Sequence, residues 1–349
     1  MYDQADQIRQ IVNDAHKIVI VQADNPDGDS LGSALALEQI LGDMGKEPYL
    51  YCGVDIPTYL QYLSGWDRVQ KELPNQFDVS IIVDASTMTL LEKVAETGQL
   101  QWLSTKPCIV LDHHAVVERP IEFASVSIVD DSRSSAGELI YRLAQQLEWP
   151  LSVQAQTNMM TAILGDTQGL SNQLTSPETY RIMAEMIESG VDRPALEELR
   201  RAGSKMHAKI LKYKGVLLQR AELSHDNQIA TVTIPQNEIT EFSPLYNPGP
   251  LVQGDLLMTE NVKLAIVLKH YAEGKVTGAI RANPGAAVAA ELAAHMGGGG
   301  HPFASGFKVT DGRPFNEIKS ECLGKAAELL DKLNEDTPNE TVQYAYTTD

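Results

Sequence analysis

Five aspartates and two histidines in the first half of the chain stand directly beyond apolar runs, where side chains can do chemistry rather than pack. They are Asp27 and Asp29 after the run 17–21, Asp84 after 79–83, the triplet Asp112-His113-His114 after 109–111, and Asp166 after the stretch 152–164, which reads as a helix. Carboxylate and imidazole together suit Mn, Zn or Fe, and imidazole also offers an acid or base near neutral pH. So many like charges at one rim would repel one another unless cations bind among them. A pair of divalent ions resolves the repulsion. Such ions, roughly 3.5 to 4 Å apart in two-metal sites, activate water and neutralise a phosphoryl oxygen. A lone Asp-His-His triplet would read as a surface loop, and an acidic turn capping a helix accounts equally for Asp27 and Asp29. The recurrence of the pattern favours a site.

The elements that must position these groups follow from hydrophobic period. Residues 6–16 have helical spacing and 17–21 read as a buried strand. Asn25-Pro26-Asp27-Gly28-Asp29-Ser30 is then a turn, with Ser30 expected to cap a helix over 31–44. Strands are expected at 48–52, 78–83, 107–111 and 124–129. Helices are expected at 90–97, at 135–148 behind Ser134, Ser135 and Glu138, and at 152–164, leaving Asp166 on a loop. Strands alternating with helices imply right-handed crossovers and a parallel sheet, whose carboxyl ends form the ligand cleft. The fold class is therefore α/β: a mainly parallel N-terminal sheet flanked by helices, followed by a smaller mixed α/β domain built from strands at 229–234, 262–268 and 276–281. The expected domains are 1–190, a helical connector at 191–224, 225–335, and an acidic, disordered tail at 336–349.

Composition limits the ligand. The chain has 349 residues, 47 acidic against 28 basic, with a formal charge of −19. That balance opposes binding of long duplex nucleic acid, which needs clustered Lys and Arg to neutralise phosphates. The most basic stretch, Arg200 to Lys214, reads as the solvated face of a connector helix. Three widely spaced cysteines argue against a disulfide framework and for packing in a reducing cytosol. Neither a signal peptide nor an eighteen-residue apolar run is evident, so a cytoplasmic protein without membrane contact is expected.

The ordered set Asn25-Pro26-Asp27-Gly28-Asp29-Ser30, Val83-Asp84, Asp112-His113-His114 and Gly165-Asp166-Thr167 resembles the four motifs of the DHH phosphoesterase superfamily. Gly297-Gly298-Gly299-Gly300-His301 resembles the glycine-rich motif of the associated DHHA1 domain. The resemblance runs over about residues 5–330, and its length and domain pairing are similar to the oligoribonuclease/pAp-phosphatase group, or nanoRNases. It implies that Asp84 bridges two Mn ions, that Asp27 binds one, and that Asp29, His113 and Asp166 bind the other. It further implies that His114 stands near the attacking water or the phosphate, and that Asp112 orients the histidines or serves structure alone. Arg281, Gly298, Gly299, Gly300 and His301 are implied as substrate contacts, and a homodimer is compatible with the resemblance although the sequence supplies no interface.

Two departures stand out. The first motif normally begins with His three residues before the proline, where this chain has Ala23, which implies a weaker or more hydrated metal site on that side. After Asp166 the usual Thr-Gly is Thr167-Gln168-Gly169. The resulting expectation is a Mn-dependent hydrolase of very short oligonucleotides, of pAp, or of both. The alternatives are a cyclic- or linear-dinucleotide phosphodiesterase and a non-catalytic nucleotide-binding protein with a decayed metal site.

Overall fold

Strands of the first half are hydrophobic on both faces, and the computed structural model, which describes residues 1–114, 119–203, 205–243 and 247–336, buries them between two layers of helices. The order is α1 (Ala5–Asp14), β1 (Lys17–Val21), α2 (Gly28–Asp43), β2 (Glu47–Tyr51), β3 (Val79–Val83), α3 (Glu92–Glu96), α4 (Leu100–Leu103), β4 (Cys108–Asp112) and β5 (Val126–Val129). Helices α5 (Ala136–Leu147), α6 (Val153–Asp166), α7 (Pro177–Glu188) and α8 (Arg193–Gly203) complete this part. The five strands form an all-parallel sheet in the order β2-β1-β3-β4-β5. Alternate residues serve opposite cores: Ile18, Ile20, Ile81 and Ile109 join one, and Val19, Val21, Ile82 and Val110 the other. The chain leaves β1 towards β2 on one side and returns to β3 on the other. The crevice at the carboxyl ends of β1 and β3 is thus the switch point where open parallel sheets take ligands.

Close helix packing holds that crevice in shape. A Cβ at Gly32 of α2 would lie 2.7 Å from the Asn158 carbonyl of α6, and one at Gly137 of α5 would lie 2.5 Å from the Ala162 Cβ. Backbones approach here because these positions carry no side chain.

The second part contains α9 (Ala208–Gln219), β6 (Glu222–Ser224), β7 (Ile229–Pro235), α10 (Gln236–Phe242), α11 (Pro248–Leu257), β8 (Leu264–His270) and β9 (Val276–Ala282). It continues with α12 (Ala289–His295), β10 (Gly299–His301), β11 (Ala304–Val309) and α13 (Phe315–Asp336). Its sheet runs β10-β11-β9-β8-β7-β6, with β7 and β8 parallel and the other neighbours antiparallel. The α/β expectation, a parallel first sheet and a mixed second one, is met. The chain divides into compact units Met1–Lys205 and Met206–Asp349, so the division falls inside the stretch expected as a connector. Of the tail expected at 336–349, residues 337–349 lie outside those described.

Several local expectations are corrected. Helix α2 starts at Gly28 rather than 31, because the Asp27 carboxylate accepts the Asp29 and Ser30 amides at 3.0 Å and caps the helix in place of Ser30. Asp166 is the last residue of α6 rather than a loop residue. Within the stretch expected as a helical connector, Arg193–Gly203 and Ala208–Gln219 are helices and Glu222–Ser224 is a strand. Asn247-Pro248-Gly249-Pro250 opens α11, with the Asn247 side chain accepting the Gly249 amide. The glycine run contributes a strand, β10. Gly298 and Gly300 have packing reasons: a Cβ at Gly298 would lie 2.1 Å from the Gly306 carbonyl, and Gly300 has φ +137°.

Candidate metal centre

Each functional aspartate of the first unit is placed by the end of an element. Asp27 and Asp29 follow β1 and open α2, Asp84 follows β3, Asp112 ends β4 with His113 and His114 directly after it, and Asp166 ends α6. Asp84 sits at φ +55° with its amide still donating to the Leu111 carbonyl at 2.9 Å. This left-handed turn, which Asp tolerates better than most residues, swings its carboxylate off the sheet.

His113 Nε2 is the point of convergence. It lies 2.9 Å from Asp166 Oδ2, 3.3 Å from Asp29 Oδ2 and 3.6 Å from Asp84 Oδ1. Yet His113 Nε2 and Asp84 Oδ1 are both buried without a partner in hydrogen-bond geometry. Asp29, His113 and Asp166 form one group able to hold a metal, and Asp84, His113 and His114 another. Within each group the donor atoms lie within 4.8 Å of one another, as those around a cation do. The donor set, carboxylate oxygens plus imidazole nitrogen, fits a divalent cation.

The electrostatics point the same way. Burial, then the charges of Asp29, Asp27 and Asp166, pushes the Asp84 carboxyl well above the ordinary range. Burial and then Asp166 push Asp29 up to about 7. Burial lowers the His113 imidazole, but Asp166 and Asp29 outweigh it and lift the group to about 9. Without a cation the cluster must hold protons to relieve its repulsion.

Behind these groups stands a backing layer. Asp29 accepts the amides of Ala136 at 2.7 Å and Gly137 at 3.0 Å, and the Ser33 hydroxyl at 2.9 Å. The Arg133 carbonyl faces His113 Nδ1 at 3.4 Å. The segment 133–137 therefore steadies two groups of the centre through its backbone. Fully buried Glu138 fastens that segment: its carboxylate accepts the hydroxyls of Ser134 at 2.6 Å and Thr179 at 2.8 Å, and faces the Arg133 guanidinium at 3.4 Å. Asp112 Oδ1 accepts the His113 amide at 2.8 Å and His114 Nδ1 at 2.7 Å.

Ala23 is buried in the opposite core with Tyr51, Ile82 and Leu91. Asp24 does not replace the missing imidazole, because its carboxylate accepts the Lys93 amide at 2.7 Å, at the start of α3. Gln22 is fully buried with neither amide atom partnered.

In the second unit, Arg281 of β9 and His301 of β10 occupy one row of the sheet, since Ala304 of β11 pairs with both. The side chain of His301 lies outside the described ones. Arg281 lines a small cavity with Lys269, whose amine donates to Asn247 Oδ1 at 3.0 Å. Sequence reasoning passed over Lys269, and it saw Glu138 only as a cap. It also passed over Tyr59 and Tyr62, which line a cleft with Asp27 and Asp166. Polar residues inside a helix or strand, and aromatics on a short turn, give no signal until the chain is folded. In the basic stretch, Arg200 and Arg201 pair with Glu197, Lys209 with Glu241 and Lys214 with Asp255, as a solvated, ion-paired surface requires. Cys52, Cys108 and Cys322 are free and buried. Among the described residues no helix is long and apolar enough to cross a membrane.

The switch-point crevice of this α/β domain gathers carboxylates and imidazoles that could hold a metal. Residues 17–165 match the DHH family, N-terminal domain. The chain is 26% identical over 283 residues to the bifunctional oligoribonuclease and PAP phosphatase NrnA of Thermus thermophilus, covering 81% of each protein. It is 25% identical over 317 residues to the uncharacterized protein MG371 homolog of Mycoplasma pneumoniae, covering 86% of this chain and 90% of that one. The fold matches the crystal structure of an exopolyphosphatase-related protein from Bacteroides fragilis, with a TM-score of 0.81 at 22% identity over 95% of this chain and 97% of the other.

Proposed function

We propose that this protein is a metal-dependent phosphoesterase that hydrolyses short oligonucleotides, pAp, or both, with Mn as its metal. The observation that carries this reading is the convergence of Asp29, Asp84 and Asp166 on His113 Nε2 at 2.9 to 3.6 Å without hydrogen-bond geometry. In this reading Asp84 would serve both ions, Asp29, His113 and Asp166 would hold one, and Asp27 would hold the other. When bound, such ions would supply Lewis acidity at the phosphoryl oxygens and lower the pKa of water. His114, fixed through Nδ1 by Asp112, keeps Nε2 for moving a proton at the phosphate. Arg281 offers two parallel N–H donors to a phosphate of the substrate, with His301 and the backbone of Gly298, Gly299 and Gly300, across β11 in the same sheet, as further contacts. The acidic balance of the chain favours a short substrate gripped at its reacting phosphate over a polymer held along its backbone.

Hydrolysis of a 5′-labelled RNA dinucleotide, an RNA pentamer, pAp and a cyclic dinucleotide, with Mn added, tests this function. Turnover of the dinucleotide or pAp that disappears in Asp84→Asn is the expected result. Turnover of the cyclic dinucleotide alone would reassign the substrate. A protein that binds nucleotide, holds fewer than two Mn ions and turns over nothing would be a binding protein instead.

A further inference from the structure

A cleft of about 480 Å³ opens beside the candidate metal centre, within the first unit. Asp27 and Asp166 line it, together with Tyr59, Tyr62, Gln168 and Arg200. Its size falls in the range of small-ligand sites, roughly 300 to 1,000 Å³. Gly28 and Gly165 line it where α2 and α6 meet, and a Cβ on either would lie within 3.6 Å of the other's backbone.

The aromatic wall is held firmly. Leu60 is buried in the core and anchors the single turn 58–60, which leaves the neighbouring Tyr59 half exposed. Tyr62 packs against α8 at Gly203, where a Cβ would lie 3.2 Å from its ring. Tyr59 shares the cleft wall with Asp27, and burial and then that carboxylate raise its phenol. Charge does not explain the cleft: both carboxylate oxygens of Glu197 already engage the Arg200 guanidinium, at 2.8 and 2.9 Å. With phosphate pairing limited, stacking of a flat ring on tyrosine is the attraction this wall offers, and each base has such a face. Gln168, held at φ +51° where the sequence departs from Thr-Gly, adds an amide able to hydrogen-bond a base edge.

We propose that this cleft is a nucleobase subsite, in which Tyr59 stacks the base of the nucleotide adjoining the scissile phosphate. The assignment rests on the phosphoesterase reading above and adds where the substrate's base goes.

The test uses the full chain and two substrates: the dinucleotide pApA and the same compound with an abasic ribose in place of one adenosine, prepared at either position. The wild type is expected to prefer pApA over one of the abasic forms. Tyr59→Ala is expected to reduce that preference in kcat/KM roughly 5- to 150-fold, the worth of one base stacked on an aromatic ring, and Tyr59→Phe to retain it. Equal losses on all substrates, or an unchanged preference in Tyr59→Ala, would overturn the subsite. A separate binding measurement keeps the two proposals apart. With hydrolytic metal omitted, a dinucleotide containing 2-aminopurine should be quenched by wild type and Tyr59→Phe, and should bind Tyr59→Ala at least about 5-fold more weakly. Quenching without turnover would uphold the subsite and sink the hydrolase. Turnover with equal quenching by all three proteins would do the reverse.

Discussion

The two sides of the candidate metal centre are built differently. On one side, Asp29 and His113 are buried and backed by hydrogen-bond partners at 2.7 to 3.4 Å from the segment 133–137, with Asp166 fixed at the end of α6. On the other, exposed Asp27 spends one carboxylate oxygen capping α2, and Ala23 stands where the family pattern has an imidazole. A donor atom already oriented loses little freedom when a cation arrives, so the backed side should bind more tightly. One protein can thus present two sites of unequal affinity within a single cluster.

The largest effect should come from the cation itself. Removing metal should abolish turnover, and metal at a hundredfold excess over its dissociation constant should stabilise the first unit by about 2.7 kcal/mol. For a unit of this size that is a rise of roughly 5 to 10 °C in melting temperature, and a melt with and without chelator would break the comparison if no shift appeared. Next, Glu138→Gln should weaken binding at the Asp29 side by about 10- to 100-fold, because it loosens the segment that orients Asp29 and His113. Titration calorimetry should show the tighter site losing affinity while the weaker one is unchanged; an equal loss at both would erase the distinction between the sides. Restoring an imidazole with Ala23→His should tighten the weaker site by about tenfold or more, near 1.4 kcal/mol. Because Ala23 is buried among apolar side chains, the metal-free variant should also lose roughly 1 to 3 kcal/mol of stability from overpacking. A variant with unchanged metal affinity would show that position 23 does not face the ions.

The smallest effect belongs to the second unit, which has no comparable buried cluster of like charge among its described residues. There the Arg220 guanidinium, donating to both carboxylate oxygens of Glu238 at 2.7 Å, holds Glu238 below its ordinary range. A depressed carboxylate stabilises the fold above the unfolded pKa and loses that contribution as pH falls through the folded one. The urea midpoint of the second unit should therefore drop on acidification below the normal carboxylate range, and Glu238→Gln should flatten that dependence.

Much of the first unit was legible because its signals are local. Apolar runs that stop at Asp84 and at Asp112-His113-His114 mark strands and their carboxyl ends without any knowledge of the fold. Legibility failed where a residue's role depends on a distant partner. Glu138 reads as a helix-start residue, yet its partner Thr179 is 41 residues away. Tyr59 sits in a short turn with no periodicity, and only the arrival of α6 gives its ring a cleft to line. The capping residue of α2 was misplaced by three positions because Asp27 and Ser30 are both competent caps, and geometry alone chooses between them.

By itself the sequence determined which residue types could hold a cation and which strands would be parallel, because residue type and hydrophobic period are properties of the chain before it folds. Only the tertiary structure decided how those residues share the work. The order β2-β1-β3-β4-β5 brings the ends of β1, β3 and β4 to one rim, and the close approach of α2, α5 and α6 turns backbone amides of 136 and 137 towards Asp29. Distances of about 3 Å between groups more than a hundred residues apart are set by packing, which no local pattern encodes.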